Sequence, residues 1–324
     1  MAIKTYYLLK RYIDTSERNL PLYFENLTST NGTVTLNAQY SDATDVECST
    51  DNSTWTAMTA SGTNYTATLP ANGKLYLRAT ATYWNTNGWG TPMSCNKRFN
   101  AGGNIMSLLY GSFFTGTETS FPDPTKQYIF ASMFQNVSNL VSAEKLALPA
   151  TTLADYCYSY MFQGCTALTD APALPATTLT NYCYSYMFSG CTALTDAPAL
   201  PAMTLAYYCY SYMFSGCTSL IAAPALPAMT LANSCYYQMF YTCSSLTAAP
   251  ALPATTLASG CYRTMFQNCS NLNSITVGAT SWDTSAANNW VTGVSATGTF
   301  TKPSGTNIPT GISGIPSGWT VVNV

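Results

Sequence analysis

Histidine is absent from this 324-residue chain. That removes at once the commonest general base, the usual zinc ligand and the side chain that titrates near neutrality. Charge is almost as scarce. Asp, Glu, Lys and Arg make up 8% of the residues, about a third of an ordinary share. Between Leu146 and Tyr262 the charged residues are Asp155, Asp170 and Asp196 alone. A Ser or Cys nucleophile in that stretch would have no Lys, Glu or Arg to activate it, so catalysis is not expected, nor is any cofactor or metal. The net charge of −2, with no basic stripe, argues against nucleic acid or an anionic membrane as a partner. No run approaches the ~18 uncharged apolar residues of a membrane span, so no membrane insertion is expected. The N-terminus also lacks the ~7–15 apolar residues and small-residue cleavage site of a secretory leader. Its apolar stretch stops at Lys10-Arg11. On this reading the chain is made in a cytoplasm and either stays there or leaves by lysis.

What the sequence has is repetition. Met-Phe recurs at 161, 187, 213, 239 and 265, always 26 residues apart, with a divergent copy at Met133-Phe134. The frame is Leu-x3-Cys-Tyr-x2-Met-Phe-x2-Cys-x2-Leu, followed in most copies by Ala-Pro-Ala-Leu-Pro-Ala. Drawn as a helix, Leu153, Cys157, Tyr158, Met161, Phe162 and Cys165 fall within half the circumference. Thr151 or Thr152 would cap its start and Gly164 its end. Leu168 and Leu174 then point inward along an extended path enforced by Pro172 and Pro175. Each repeat is therefore expected to be a short helix plus an extended segment. Its apolar gain of roughly 10–20 kcal/mol cannot offset ordering costs of about 1–2 kcal/mol per residue, so repeats must stack and share a core.

Ten of the twelve cysteines form two columns, 157/183/209/235/261 and 165/191/217/243/269. Ladders of small buried thiols are the favoured reading, because the first copy carries Ile129 and Val137 in the equivalent places. Cysteines eight apart on a helix lie ~12 Å from each other, too far for a disulfide, although bridges between repeats stay open. The spacing is not that of a metal site. Cys48 and Cys95 lie outside the repeat.

Residues 26–100 alternate with strand period at Thr33–Tyr40, Tyr65–Leu69 and Lys74–Thr80, separated by turn-rich pieces. The fold expected is α+β: an N-terminal antiparallel β-sandwich, then a leucine-rich-repeat-like α/β solenoid, then a C-terminal cap. The expected divisions are an anchoring arm over 1–25, the sandwich over 26–103, the solenoid over 104–273 and the cap over 274–324, sealed by Trp282, Trp290 and Trp319.

Cys183-Tyr-Ser-Tyr-Met-Phe-Ser-Gly-Cys-Thr-Ala-Leu194 with Ala197-Pro-Ala-Leu-Pro-Ala-Met-Thr-Leu205 resembles the BspA-type leucine-rich repeats of gut Bacteroides proteins and their phages, crAss-like phages among them. Gly103-Asn-Ile-Met-Ser-Leu-Leu-Tyr-Gly111 resembles the β-domain found ahead of such repeats, and Gly314-Ile-Pro-Ser-Gly-Trp-Thr-Val-Val-Asn323 their cap. The resemblance implies a surface-exposed, non-enzymatic binding protein. Cellular members generally carry a secretion or lipoprotein signal, so the expectation is a head or tail fibre or decoration protein on a bacteriophage virion. It would bind other virion proteins through its N-terminal region and a host-surface glycan or protein through the solenoid, as a homo-oligomer, a trimer being usual for such fibres. A BspA-type adhesin on a bacterial cell surface is the alternative.

The candidate binding strip is Tyr156 with Tyr160, Tyr182 with Tyr186 and Tyr208 with Tyr212, on the face opposite the core. Tyrosine buries area while keeping a polar tip. The same rings could instead pack against adjacent repeats or a neighbouring subunit. Asp170 and Asp196, one repeat apart, are the only carboxylates placed to suggest glycan hydrolysis. Ala222 and Ala248 take their place further along, which favours a solvated role.

Overall fold

The computed structural model describes residues 15–39, 41–85, 90 and 92–324. The first fourteen residues of the expected N-terminal arm lie outside the described residues.

Alternating apolar residues make the N-terminal region a pair of sheets. One sheet contains β1 (Tyr23–Asn26), β3 (Thr44–Ser49), β4 (Thr56–Ala57), β7 (Lys74–Thr80), β9 (Phe99–Asn104) and β10 (Leu140–Ala147), in the order β10-β9-β1-β7-β3-β4. The other contains β2 (Gly32–Asn37), β5 (Thr59–Ser61), β6 (Asn64–Leu69) and β8 (Met93–Cys95), in the order β5-β6-β2-β8. Pairing is antiparallel except between β9 and β10, which run parallel. Val34 and Leu36 of β2 are buried with Leu75, Leu77 and Ala79 of β7, as a period of two requires. Gly103 sits at φ +76, and any side chain there would meet the carbonyl of Pro21.

β10 belongs to the first repeat, so the sheet runs directly into the solenoid. Phe24 of β1 stacks on Phe99 and touches Phe134 of the first Met-Phe pair, making one continuous core.

The repeats themselves contain no helix, which corrects the expected helix-plus-strand unit and the α/β label. Among the described residues the only α-helices are Thr15–Arg18 and Ser107–Tyr110. In place of a helix, residues 154–165 form a rung of overlapping turns. Odd-numbered amides donate three residues back: Cys157 to Ala154, Ser159 to Tyr156, Met161 to Tyr158, Gln163 to Tyr160 and Cys165 to Phe162. Even-numbered amides donate to the next rung: Tyr156 to Asn181, Tyr158 to Cys183, Tyr160 to Ser185, Phe162 to Met187 and Gly164 to Ser189. The backbone is thus satisfied half within the rung and half between rungs.

The physical reason is spacing. Phe134, Phe162, Phe188, Phe214, Phe240 and Phe266 stack at 5.5–5.7 Å. Tyr158, Tyr184, Tyr210, Tyr236 and Tyr262 stack at 5.8–6.2 Å. Helices are ~10 Å across and cannot repeat at that interval. Turns can, and their in-out period is four residues instead of 3.6. Over three turns the two periods diverge by only ~120°, so a rung this short mimics a helical stripe.

Both thiol columns are buried and all twelve cysteines are free. Each thiol of the second column donates to a phenylalanine carbonyl of the preceding rung, as Cys191 does to Phe162 at 3.1 Å and Cys217 to Phe188 at 3.1 Å. Both columns are filled with volume, and the thiols of the second also serve the backbone.

Both ends of the ladder are covered. Before the first rung, the amide of Trp84 donates to Ile129, the Asn85 side chain to Ala131 and the amide of Met93 to Met133. At the other end, Trp290 is buried against Tyr262 and Phe266, and its indole donates to Gly314. Trp282 and Trp319 donate to Ser313 and Ser295. A parallel sheet of β11 (Ser274–Thr276), β12 (Thr299–Lys302) and β13 (Thr320–Asn323) closes the chain.

Candidate functional site

A string of turns needs a residue of positive φ at the third position of every second turn, hence every fourth residue along the rung. In the rung of residues 154–165 these are Tyr156 (φ 59), Tyr160 (φ 59) and Gly164 (φ 71). The next two rungs place Tyr182, Tyr186 and Gly190, then Tyr208, Tyr212 and Gly216, in the same conformation. All six tyrosines of the expected strip therefore occupy left-handed positions. They are half-buried and lie together on one face.

The left-handed region costs a residue with a Cβ about 1–2 kcal/mol, and glycine or asparagine is the inexpensive choice. This chain uses that choice in its third column at Asn136, Gly164, Gly190, Gly216 and Asn268, with Thr242 as the exception. It does the same at Gly260 and Asn289 near the far end of the other two columns. The remaining left-handed sites of those two columns hold Ser132, Ser234, Gln238 and Thr264, and in the middle rungs a bulky phenol.

Ring stacking recovers part of the cost. Tyr128, Tyr156, Tyr182 and Tyr208 stack with centroids 4.4, 4.5 and 5.1 Å apart. Tyr160, Tyr186 and Tyr212 stack at 4.7 and 4.1 Å. At about 0.5–1.5 kcal/mol per stacked pair, against about 1–2 kcal/mol per left-handed residue, the stacking offsets only part of the backbone strain. Stacking also turns the ring faces toward one another, so each column presents phenol edges and hydroxyls outward.

Three further tyrosines extend the strip. Tyr207 meets Tyr182 and Tyr208 edge-on, and Tyr237 meets Tyr208 and Tyr212 in the same way. Tyr128 heads the first column. Its 28-residue offset from Tyr156 equals the offset between Met133-Phe134 and Met161-Phe162, so the sequence does carry its signal. Tyr207 falls in a column otherwise held by Asp155, Asn181, Asn233 and Ser259, Tyr237 in one otherwise held by Ser159, Ser185, Ser211 and Arg263, and no periodicity announces either.

Tyr156, Tyr160, Tyr182, Tyr186 and Tyr212 stay protonated around neutral pH. Burial, followed by the neighbouring phenols of Tyr186, Tyr128 and Tyr156, pushes Tyr160 up to about 12. Burial likewise raises Tyr156, Tyr182, Tyr186 and Tyr212, with adjacent tyrosines contributing in each case. Asp155 is taken up by the amide and side chain of Asn181.

The tyrosine face ends in a cation on either side. Arg263 lies over the Tyr237 ring at 5.8 Å. Lys126 lies over Tyr83 at 5.6 Å and lines, with Thr125, Gln127, Tyr128 and Tyr83, a shallow pocket of about 280 Å³.

The chemistry such a surface supports is adhesion through hydroxyls and aromatic edges. No group of three or more metal-binding side chains occurs among the described residues. Asp170 and Asp196 each accept a hydrogen bond from the adjacent threonine, Thr169 at 2.7 Å and Thr195 at 3.1 Å. The thiols are shielded: burial raises Cys157, Cys165, Cys209 and Cys217 to about 12.

Residues 110–247 and 207–289 match the BspA type leucine rich repeat region, in six copies. No curated protein and no solved structure matches the chain. The matched span, 110–289, covers more than half of the 324 residues and contains the rungs described above. Such repeats typically belong to binding and adhesion proteins that perform no catalysis. The chain belongs to the BspA-type leucine-rich-repeat family.

Proposed function

We propose that this protein is a non-enzymatic attachment protein, a fibre or decoration protein of a bacteriophage virion, that presents its tyrosine face to a glycan or protein on the host surface. The observation that carries the attachment reading is the placing of Tyr156, Tyr160, Tyr182, Tyr186, Tyr208 and Tyr212 at left-handed positions. Glycine or asparagine would serve the fold there at lower backbone cost. Strain held at a surface, half-exposed and repeated over three rungs, is the kind of outlier that points to a task other than stability.

The virion reading draws support from the cysteines. Twelve free thiols, ten of them in the buried columns, suit a chain that folds in a reducing cytoplasm and is displayed only afterwards. In this reading the N-terminal region docks on other virion proteins and the protein assembles as a trimer. The tyrosine columns would remain accessible on each subunit.

Replacing Tyr160, Tyr186 and Tyr212 together with Ser should abolish attachment to host cells while leaving the cooperative unfolding transition in place. Unchanged attachment would dismiss the strip. Mass spectrometry of purified virions should find the chain, and its absence there would sink the virion reading. The family match also favours a cellular adhesin. Fractionation of uninfected bacteria with the chain on the outer surface would establish that second reading.

A further inference from the structure

Within the stacked columns each phenol covers the face of the next, so broad contact with a ring-shaped ligand is available chiefly where a column begins. Tyr128 begins the first column and Tyr160 the second, and of the two it is Tyr128 that lines a pocket. One face stacks on Tyr156 at 4.4 Å, and among the described residues no aromatic ring covers the other. Tyr128 forms a wall of the 280 Å³ pocket, with the half-buried Tyr83 as another. The Thr125 hydroxyl, the Gln127 amide and the Lys126 ammonium complete it.

Lys126 is exposed. The ion pairs among the described residues are Arg78 with Glu47 and Lys145 with Glu17, so Lys126 takes part in none. The nearby acid, Asp123, is held below the usual carboxylate range by the hydroxyl and amide of Thr125, with the Lys126 charge adding to the effect. Its charge weakens the field of Lys126 without occupying its donors.

We infer that this pocket at the head of the tyrosine column receives an acidic sugar unit, its ring against Tyr128 and Tyr83 and its carboxylate or sulfate on Lys126. The inference rests on the attachment reading and specifies the chemistry of the ligand. Each part of the pocket has a counterpart in such a unit. Phenol faces take the apolar face of a saccharide ring. Neutral donors and acceptors meet its hydroxyls. A single cation fits a single anionic group, which argues against a polyanion that would need a basic stripe. The volume is that of a small pocket and suits one ring, with the rest of the chain continuing over the hydroxyl edges of the strip.

Titration calorimetry on the full chain tests this, using 3′-sialyllactose and a glucuronate-containing hyaluronan tetrasaccharide, with lactose as the neutral control and a hexaglutamate peptide as the competing class. At least one acidic saccharide should bind 10-fold or more tighter than lactose. Lys126→Gln should erase that preference, whereas Arg263→Gln at the far end should leave it. Tyr83→Ala should weaken acidic and neutral sugars alike, and circular dichroism should show each variant folded as the parent. Equal binding of lactose, an unaffected Lys126→Gln variant, or binding of hexaglutamate in place of the sugars would overturn the inference. So would a lack of any saccharide binding up to millimolar concentration. If the Tyr160/Tyr186/Tyr212 variant still loses attachment in that last case, the strip stands and only the acidic-sugar assignment falls.

Discussion

Gly190 shows what one position in a rung demands. Its φ is +75, and a Cβ there would meet nothing closer than the Gly164 backbone at 3.7 Å, an ordinary contact. The cost of a side chain is therefore conformational. Gly190→Ala should lower stability by about 1 kcal/mol. Gly190→Asn should be nearly neutral, since asparagine enters this region readily and already serves at Asn136 and Asn268. Gly190→Val should be the worst of the three, and denaturant midpoints would rank them. The thiols give a second residue-scale prediction. Burial lifts Cys157, Cys165, Cys209, Cys217, Cys261 and Cys269 from the ordinary 9.0 to about 12. Between those values the unfolded chain releases protons that the folded chain retains. Stability is therefore full below pH 9 and falls as pH rises toward 12, by up to ~1.4 kcal/mol per pH unit for each thiol. Thermal midpoints recorded from pH 7 to 11 should be flat at first and then drop steeply. Iodoacetamide at pH 8 should label the half-buried Cys48 well ahead of the column thiols.

The rung is the element on which the sequence reading and the structure part. The buried columns were all legible: Cys157, Tyr158, Met161, Phe162 and Cys165 do face the core, and Thr33, Tyr65 and Lys74 do begin or lie in strands. The six outward tyrosines were legible too, because two-in, two-out patterning places them on the same side whether the chain turns every 3.6 residues or every four. What the pattern concealed was the backbone. The signal was chemical: Tyr, Cys, Ser and Thr are indifferent helix formers, and Gly or Asn recurs at the left-handed site of the final turn in every rung but the one that ends on Thr242. Because alternate amides serve alternate purposes, rungs tolerate whole-repeat changes and little else. Deleting residues 182–207, one full period, should leave a folded protein with a modestly lower melting temperature. Deleting Ser185 alone should exchange the roles of every following amide in that rung and cost far more. Far-UV circular dichroism of the parent should lack the helical minimum near 222 nm that an α/β solenoid would give.

At the scale of the molecule, the ladder is a polymer that must be stopped. The carbonyls of Ile129, Ala131 and Met133 would be an open edge, like that of an unpaired strand, without Trp84, Asn85 and Met93 to cover them. Removing residues 1–103 should leave a chain that self-associates, visible as concentration-dependent growth in light scattering. A truncated solenoid that stays monomeric would show that the cap is dispensable. The β-domain was readable from alternation, and its covering of one end by residues up to about 103 followed from the need of stacked repeats for caps; the particular residues that make the cover were not readable. The covering bonds come from Trp84, Asn85 and Met93, around a turn-rich stretch with no periodicity of its own.

The ladder of amides between rungs also has a mechanical side. Neighbouring rungs are joined by a short row of hydrogen bonds, such as the five from Tyr156, Tyr158, Tyr160, Phe162 and Gly164. Tension that pulls the two ends apart would load one such row at a time. The outermost rung would tear free while the rest held, releasing 26 residues, or ~90 Å of extended chain at ~3.4 Å each. A tether of this kind gives way in equal steps, and stretching a single molecule should record a sawtooth with that interval.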